Sequence, residues 1–363
     1  MAHATPLDGV DLHPRVQRAL DEHLDRQREV LAELGAPMGP LVDAVAELLS
    51  GGKRLRAAFL YWGWRALGGP DDDAAVRASS SMEMFQAAAL LHDDVMDNSD
   101  RRRGRPTAHR AFASLHEERR WNGDPERFGH AAAILAGDLC LNWTDEIYAT
   151  SGLPSDALER GRPEFDRMRS QLMGGQFLDV LEGAVGWGEL GYEARLARVR
   201  TVIRYKSAQY SVQQPLLIGA AAAGAGTEVL GLLSDYGLRL GEAFQLRDDV
   251  LGVFGDPGRT GKPAGDDLRE GKHTALVAHA LELADHEGAE LLTGSLGDPD
   301  LDVQTVEACR RVLVDSGALE RTEAMITEGA DAALDALSRT PGLTDEGRAA
   351  LVELVAVCTD RSL

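Results

Sequence analysis

A mainly helical, all-α fold is the class this sequence predicts, on three observations. Aromatic residues make up only 5% of the 363, alanine and leucine abound, and few segments show the alternation of β-branched residues that strands require. A hydrophobic content of 44% is ample for a sizeable core. No long linker cuts the chain, so one domain over residues 1–363 is expected, with residues 1–12 frayed. Lys and Arg total 38 against 59 Asp and Glu, and the net charge of -21 argues against nucleic acid or an anionic membrane surface as the main partner.

Cys140, Cys309 and Cys358 are far apart and in no CxxC or Cys/His pattern, so neither a disulfide framework nor a zinc site is expected. A reducing cytoplasm fits that usage. No basic segment leads into an apolar run at the N-terminus, and no stretch reaches the roughly 18 uncharged apolar residues of a transmembrane helix.

From about residue 12 helical periodicity recurs, broken near GAPMGP (35–40), LGGPDDD (67–73) and LPSD (153–156). Longer loops are expected at HEERRWNGDPERFG (116–129) and FGDPGRTGKPAGDDLREGKHT (254–274). The first unusual element is SGGKRLRAAFLYW (50–62). Gly51 and Gly52 break one helix, and Lys53, Arg54 and Arg56 open the next, where the macrodipole favours anions. The second is LLHDDVMDNSDRRRG (90–104). Asp93, Asp94 and Asp97 crowd into about a 100° arc of a helix that is ending, facing the negative end of its dipole, and Arg101, Arg102 and Arg103 follow at once. The third is the small-residue helix Ala220 to Gly252, which repeats the fault with Asp248 and Asp249 before Gly252, Gly255 and Pro257 announce its end.

Each cluster alone would read as a solvated helix end. Together they call for bound ions of opposite sign: an oxygen-ligated divalent metal at the aspartates and phosphate at the basic helix start. Hard carboxylate oxygens select Mg²⁺ or Mn²⁺ over zinc, and Mg²⁺ commonly bridges a few carboxylates to substrate phosphates. Two aspartate clusters facing one cavity would hold a polyphosphate between them, with Arg and Lys taking its remaining charge.

In their order, GGKRLR (51–56), HDDVMD and RRG (92–104), GGQFLD (174–179), YKSA (205–208), FQLRDD (244–249) and TGKPAGDDLREGKHT (260–274) resemble the trans-isoprenyl diphosphate synthases, or polyprenyl synthetases. The resemblance covers roughly residues 50–275. It implies the isoprenoid synthase fold, helices around a deep central cavity, as a homodimer. It implies head-to-tail condensation of isopentenyl diphosphate onto an allylic diphosphate. By motif, Asp93, Asp94, Asp97 and Asp248 would hold about three Mg²⁺ ions on the allylic diphosphate. Arg102, Lys206 and Lys262 would grip that diphosphate; Lys53, Arg56 and Arg103 would grip isopentenyl diphosphate, and Lys272 of the basic loop is counted with the substrate-binding residues. Asp249 and Gln176 would act through the metal, and Asp179 would steady Lys206. Helix carbonyls near Lys206 and Ser207, with Gln245, would solvate the carbocation, and the departing diphosphate would take the final proton. His92 and His109 would be structural neighbours.

Two departures from the family pattern stand out. Gly252 replaces a third aspartate of the second motif, with Asp266 and Asp267 as downstream supplements, and Gln86 replaces a histidine expected to help bind isopentenyl diphosphate, where an amide can still donate. Product length is expected to follow the helix ahead of the first cluster. Ala89 and Ala88 are small, so the tail would pass the fifteen-carbon length and stop at Phe85 or at a facing residue such as Phe112. That points to a twenty-carbon product, geranylgeranyl diphosphate, with longer or shorter chains as the alternative. A class I terpene cyclase would carry a different second motif and would have no use for GGKRLR, and a regulatory subunit would be expected to lose the aspartates or the basic loop.

Overall fold

The computed structural model describes residues 10–255 and 265–360, and they are almost entirely helical. In chain order the elements are α1 (Leu12–Ala32), a 3₁₀ turn (Ala36–Met38), α2 (Gly39–Leu49), α3 (Leu55–Arg65), α4 (Asp73–Met96), β1 (Arg101–Arg102), β2 (Arg105–Pro106), α5 (Ala108–Glu118), α6 (Pro125–Ala149) and α7 (Ser155–Val185). Then come α8 (Tyr192–Val202), a π-helix (Ile203–Gln213), α9 (Gln214–Ala222), α10 (Thr227–Phe254), α11 (Asp266–Arg269), α12 (Ala275–Leu283), α13 (His286–Ser295), α14 (Val303–Asp315), α15 (Ala318–Arg339) and α16 (Asp345–Thr359). Among the described residues no helix is long and apolar enough to cross a membrane.

Several boundaries differ from the sequence reading, each for a local reason. Residues 1–9 of the segment expected to fray lie outside the described residues, but Leu12 is fully buried and opens α1. The loop expected over 116–129 shrinks to 119–124. His116 is buried and keeps α5 helical, while Asp124 accepts from the Glu126 amide at 2.9 Å and Pro125 stands at the first helical position, starting α6 early. The helix expected from Ala220 breaks before Thr227, where Gly224 takes φ 93°. The Arg-rich stretch, with no strand signal, folds as a two-residue antiparallel hairpin pairing Arg101 with Pro106 and Arg102 with Arg105.

The contacts divide into two compact units. The first comprises residues 1–163, 215–226 and 342–350, the second residues 164–214, 227–341 and 351–363. In the first, α4 is the central element and packs on α6, α3 and α1. Asp72 starts it by accepting from the Ala75 amide at 2.9 Å. Ser79, Ser80 and Ser81 can be buried on α4 because each hydroxyl bonds a carbonyl of its own helix at 2.6 to 2.8 Å. Helix α3 meets α9 backbone to backbone: a Cβ on Gly219 would lie 2.0 Å from the Leu60 carbonyl oxygen, and one on Gly63 would lie 2.3 Å from that of Leu216.

In the second unit α10 packs on α15 and on the π-helix. Val199, Ile203, Leu246, Val250, Val277 and Ile326 form one apolar cluster there, and Val253, Leu268, Leu276, Leu292, Val306 and Leu313 form another. The second-motif helix is thereby held along its length by burial that is independent of any ligand.

The glycine contact in the first unit yields a stability prediction. Gly219→Ala should destabilise the protein by about 1–3 kcal/mol through overpacking against Leu60. Gly231→Ala, on α10 with open space around it, should be neutral or stabilising by up to about 1 kcal/mol. Denaturant midpoints of the two variants check the pair; equal midpoints would show that the α3–α9 crossing is not tight.

Candidate active site

The first unit carries the first aspartate group. Helix α4 ends where the acidic run leads into Asn98: Asp97 is its C-cap, with its amide on the Asp93 carbonyl at 2.8 Å, and Asn98 turns left-handed at φ 50°. Asp94 is 3% exposed, and Arg102 grips it with Nε to Oδ1 at 2.8 Å and to Oδ2 at 3.1 Å, and Nη2 to Oδ1 at 2.6 Å. Arg102 Nη2 is also 3.7 Å from Asp93 Oδ2. A single guanidinium thus bridges two of the three predicted carboxylates, while Asp97 remains exposed to solvent.

The hairpin decides where the next arginine goes. Arg103 at φ 51° and Gly104 at φ 77° form its turn, the left-handed pair that matches strand twist. The Arg103 guanidinium then lies against the Gly51–Gly52 turn, so close that a Cβ on Gly51 would be 3.2 Å from Nη1 and one on Gly52 would be 3.3 Å from Nη2. Burial, together with the charges of Arg102, Arg54 and Arg56, holds the Arg103 pKa below its ordinary value despite Glu83. Gln86 and Arg103 line the same small cavity of about 10 Å³ with Gly51, Arg54 and Glu83.

Sequence reasoning misjudged one cation and missed one anion here. Arg54 does not project from the helix start: it is the left-handed N-cap of α3, 2% exposed, and its guanidinium donates to Gln17, to the Leu49 carbonyl, and to Glu83 at 3.5 Å. Glu83, buried on α4, also accepts from the Ala57 amide at 3.1 Å. A carboxylate therefore does stand at the positive end of α3. Lys53 is exposed and Arg56 half-buried beside it.

The predicted histidines have ordinary surroundings. His92 packs over Gly137 and meets the Ile134 carbonyl at 3.2 Å, and burial lowers the pKa of His109 to about 4. Phe85, Ala88 and Phe112 are buried, whereas Ala89 is half-buried on the side of α4 that carries Gln86, Leu90 and Asp93.

The second unit carries the rest. Lys206 and Ser207 lie in the π-helix, a rare wide turn that runs 11 residues here. Helix α7 approaches it at Gly175, where a Cβ would come within 2.4 Å of the Tyr205 carbonyl carbon. One turn further along α7, Asp179 accepts from Lys206 Nζ at 2.6 Å, so the structure brings these two predicted residues together, and Gln176 is half-buried between Gly175 and Asp179 in sequence.

On α10, Gln245 donates to Asp249 Oδ1 at 2.7 Å and Asp248 is half-buried. The carboxylate of Asp267 occupies the place of a side chain at position 252: a Cβ on Gly252 would lie 1.9 Å from Asp267 Oδ2. Lys272 Nζ bonds Asp267 Oδ1 at 3.1 Å and Glu270 Oε2 at 2.6 Å, and although burial lowers its pKa, these two carboxylates hold it well above its ordinary value. Burial first, then the charges of Asp267 and Asp248, push the Asp249 pKa up to about 7, against the Gln245 bond and Lys272. Lys262 lies outside the described residues.

Comparison with known proteins follows the same lines. The profile of the family described as Polyprenyl synthetase matches residues 40–313. A geranylfarnesyl diphosphate synthase of Aeropyrum pernix is 33% identical over 316 residues, 86% of this chain and 91% of that one. An octaprenyl diphosphate synthase of Escherichia coli is 30% identical over 355 residues, 95% of this chain and 94% of that one. The crystal structure of geranylgeranyl pyrophosphate synthase from Corynebacterium glutamicum, complexed with isoprenyl diphosphate and magnesium, has a TM-score of 0.91 at 37% identity and covers 97% of this chain and 99% of that one.

The Asp249 carboxyl gives a pH prediction. Its folded pKa is raised, so the unfolded chain ionises first, near 3.8, and stability is lost as pH rises from there to about 7, with the full cost present above. In metal-free buffer Asp249→Asn should melt higher than wild type at pH 8, and the difference should vanish below about pH 4. Calorimetric melting temperatures across that range provide the check; no gain at pH 8 would mean the carboxyl carries no such cost.

Proposed function

The chain belongs to the polyprenyl synthetase family and is a prenyl-transferring enzyme of the all-α isoprenoid synthase fold, and on that premise we propose that it condenses isopentenyl diphosphate with allylic diphosphates to make geranylgeranyl diphosphate. One observation carries the reading furthest. Arg103 lies on a glycine turn within a crowd of guanidiniums, next to a helix end that gathers three aspartates. An anion subsite beside a metal-binding carboxylate group suits an enzyme that holds two diphosphates, and a cyclase with one diphosphate substrate would not need it.

The donor set suits Mg²⁺. Asp93, Asp97 and Asp248 offer hard oxygens, and beside them Asp249 has a pKa raised by burial first and by the charges of Asp267 and Asp248 second. Bound Mg²⁺ would neutralise the leaving diphosphate and so ease ionisation of the allylic C–O bond. Arg102 and Lys206, which hold Asp94 and Asp179 in this structure, would turn their donors to the same diphosphate. Lys262 is assigned to it on its motif alone. Lys53, Arg56, Arg103 and Gln86 would hold isopentenyl diphosphate. Carbonyls of the π-helix at Lys206 and Ser207, with Gln245, would face the developing cation until the isopentenyl double bond forms the new C–C bond. The released diphosphate would accept the proton whose loss restores an alkene. Lys272 would act by holding Asp267.

The whole chain is proposed to work as one catalytic domain in the cytoplasm, as a homodimer. Met173, Phe177, Val180, Leu181 and Val185 form an exposed apolar stripe at helical spacing on α7, and Phe177 is 66% exposed, a face that supports a second copy. The twenty-carbon length rests on the small Ala88 and Ala89 ahead of Asp93 and on the buried Phe85 as the stop.

Labelled isopentenyl diphosphate incubated with dimethylallyl, geranyl or farnesyl diphosphate, with and without Mg²⁺, tests the reaction. Elongation to a twenty-carbon product that requires Mg²⁺ is expected; no elongation from any starter would sink the reading, and a cyclic hydrocarbon would favour a cyclase. Asp93→Asn should lower kcat by at least about 10²-fold. Chromatography of dephosphorylated products should show Phe85→Ala shifted to longer chains, and an unchanged distribution would remove Phe85 as the stop.

A further inference from the structure

Helix α10 ends within two turns of Asp248 and Asp249, so its last carbonyls need partners from outside the helix. One face of α14 supplies a partner. Arg310 donates from Nε and Nη2 to the Val253 carbonyl oxygen at 2.8 and 2.5 Å. Its guanidinium lies 5.9 Å from the centroid of the Phe254 ring, and Glu307 accepts from its Nη1 at 2.5 Å. One turn earlier on the same face, Val306 seats Gly265, where a Cβ would come within 2.6 Å of Val306 Cγ1. Gly265, at φ 73°, is the N-cap of α11, which carries Asp267. Arg269 in turn donates from Nε and Nη2 to the Leu301 carbonyl just ahead of α14.

These contacts sit on both sides of the place where Asp267 fills the space over Gly252. Val253 is the next residue after Gly252, and Gly265 is two before Asp267. We propose that Arg310, assisted by Val306, is a positioning residue for the second aspartate group, holding the end of α10 and the Asp267 turn in one register. Asp249 and Asp267 are both buried carboxylates, with Lys272 bonded to Asp267, and a fixed frame is what keeps the two acidic segments in place beside each other. The inference rests on the assignment of Asp248 and Asp249 to the metal and diphosphate site.

The experiment uses full-length wild type, Arg310→Gln and Arg310→Lys. Three quantities are read: melting temperature, the Mg²⁺ concentration for half-maximal elongation with both KM values, and the thermal shift produced by Mg²⁺ with inorganic pyrophosphate. Arg310→Gln should raise the Mg²⁺ requirement by about 10-fold and shrink the pyrophosphate shift, with KM for isopentenyl diphosphate and kcat at saturating Mg²⁺ little changed. Arg310→Lys, which keeps a cationic donor for the Val253 carbonyl but not the fork, should recover part of both effects. A lower melting temperature with an unchanged Mg²⁺ requirement and pyrophosphate shift would make Arg310 a helix cap only and overturn the inference. Should Arg310→Gln not fold, Val306→Ala is read the same way and should move both quantities in the same direction by less; no movement overturns the inference. Wild type that elongates no starter would instead remove the functional reading beneath it.

Discussion

Like charges gathered where neither helix dipoles nor burial favours them are the constraint that the site is organised around. Unit charges a few ångströms apart interact by about 4 kcal/mol at the effective dielectric near a protein surface, so crowded carboxylates or guanidiniums hold together only when other forces fix them. In this chain each crowd is met by a countercharge already in place. Arg102 grips Asp94, Lys206 holds Asp179, Lys272 spans Asp267 and Glu270, and Glu83 faces Arg54. On the proposed reading, a bound diphosphate would exchange partners within these ion pairs. The acidic whole-chain charge matters less than these local fields, since salt screens charges beyond about 8 Å.

Backbone geometry carries the second part of the design. The Arg103–Gly104 turn, the left-handed Arg54 and the π-helix each place a charged side chain by bending the main chain, and at the π-helix a side chain at Gly175 would run into the Tyr205 backbone. Such positions are costly in isolation, by about 1–3 kcal/mol for a strained residue. The apolar clusters along α10 and the buried length of α4 offset that cost in the helices that carry the two aspartate groups.

Much of this was legible in the sequence. Composition and periodicity gave the all-α class, and the end of α4 could be placed from Asn98 and the acidic run ahead of it. Asp266 and Asp267 were readable as downstream supplements to Gly252, because the two motifs lie close in sequence, and Asp267 is the one whose carboxylate meets Gly252. What could not be read was geometry without a local signature. Arg54 read only as one of three cations opening α3, since nothing in GGKR announces a left-handed cap turned inward. Glu83 is an isolated acid in the middle of α4, and its partners come from a separate segment of the chain. The π-helix shifts side chains by fractions of a turn that hydrophobic periodicity does not resolve, and Arg310 reaches α10 from far along the chain. The division into two compact units likewise depends on contacts between distant segments.

The contact between Gly252 and Asp267 bears on how such chains should be compared. Column by column, positions 252 and 267 are scored as independent. In space the two are coupled, because the Asp267 carboxylate on its short helix fills the place that any side chain at 252 would take. Residue grafting that treats the positions as independent would drive a new side chain at 252 into the Asp267 carboxylate, so the two have to be changed together.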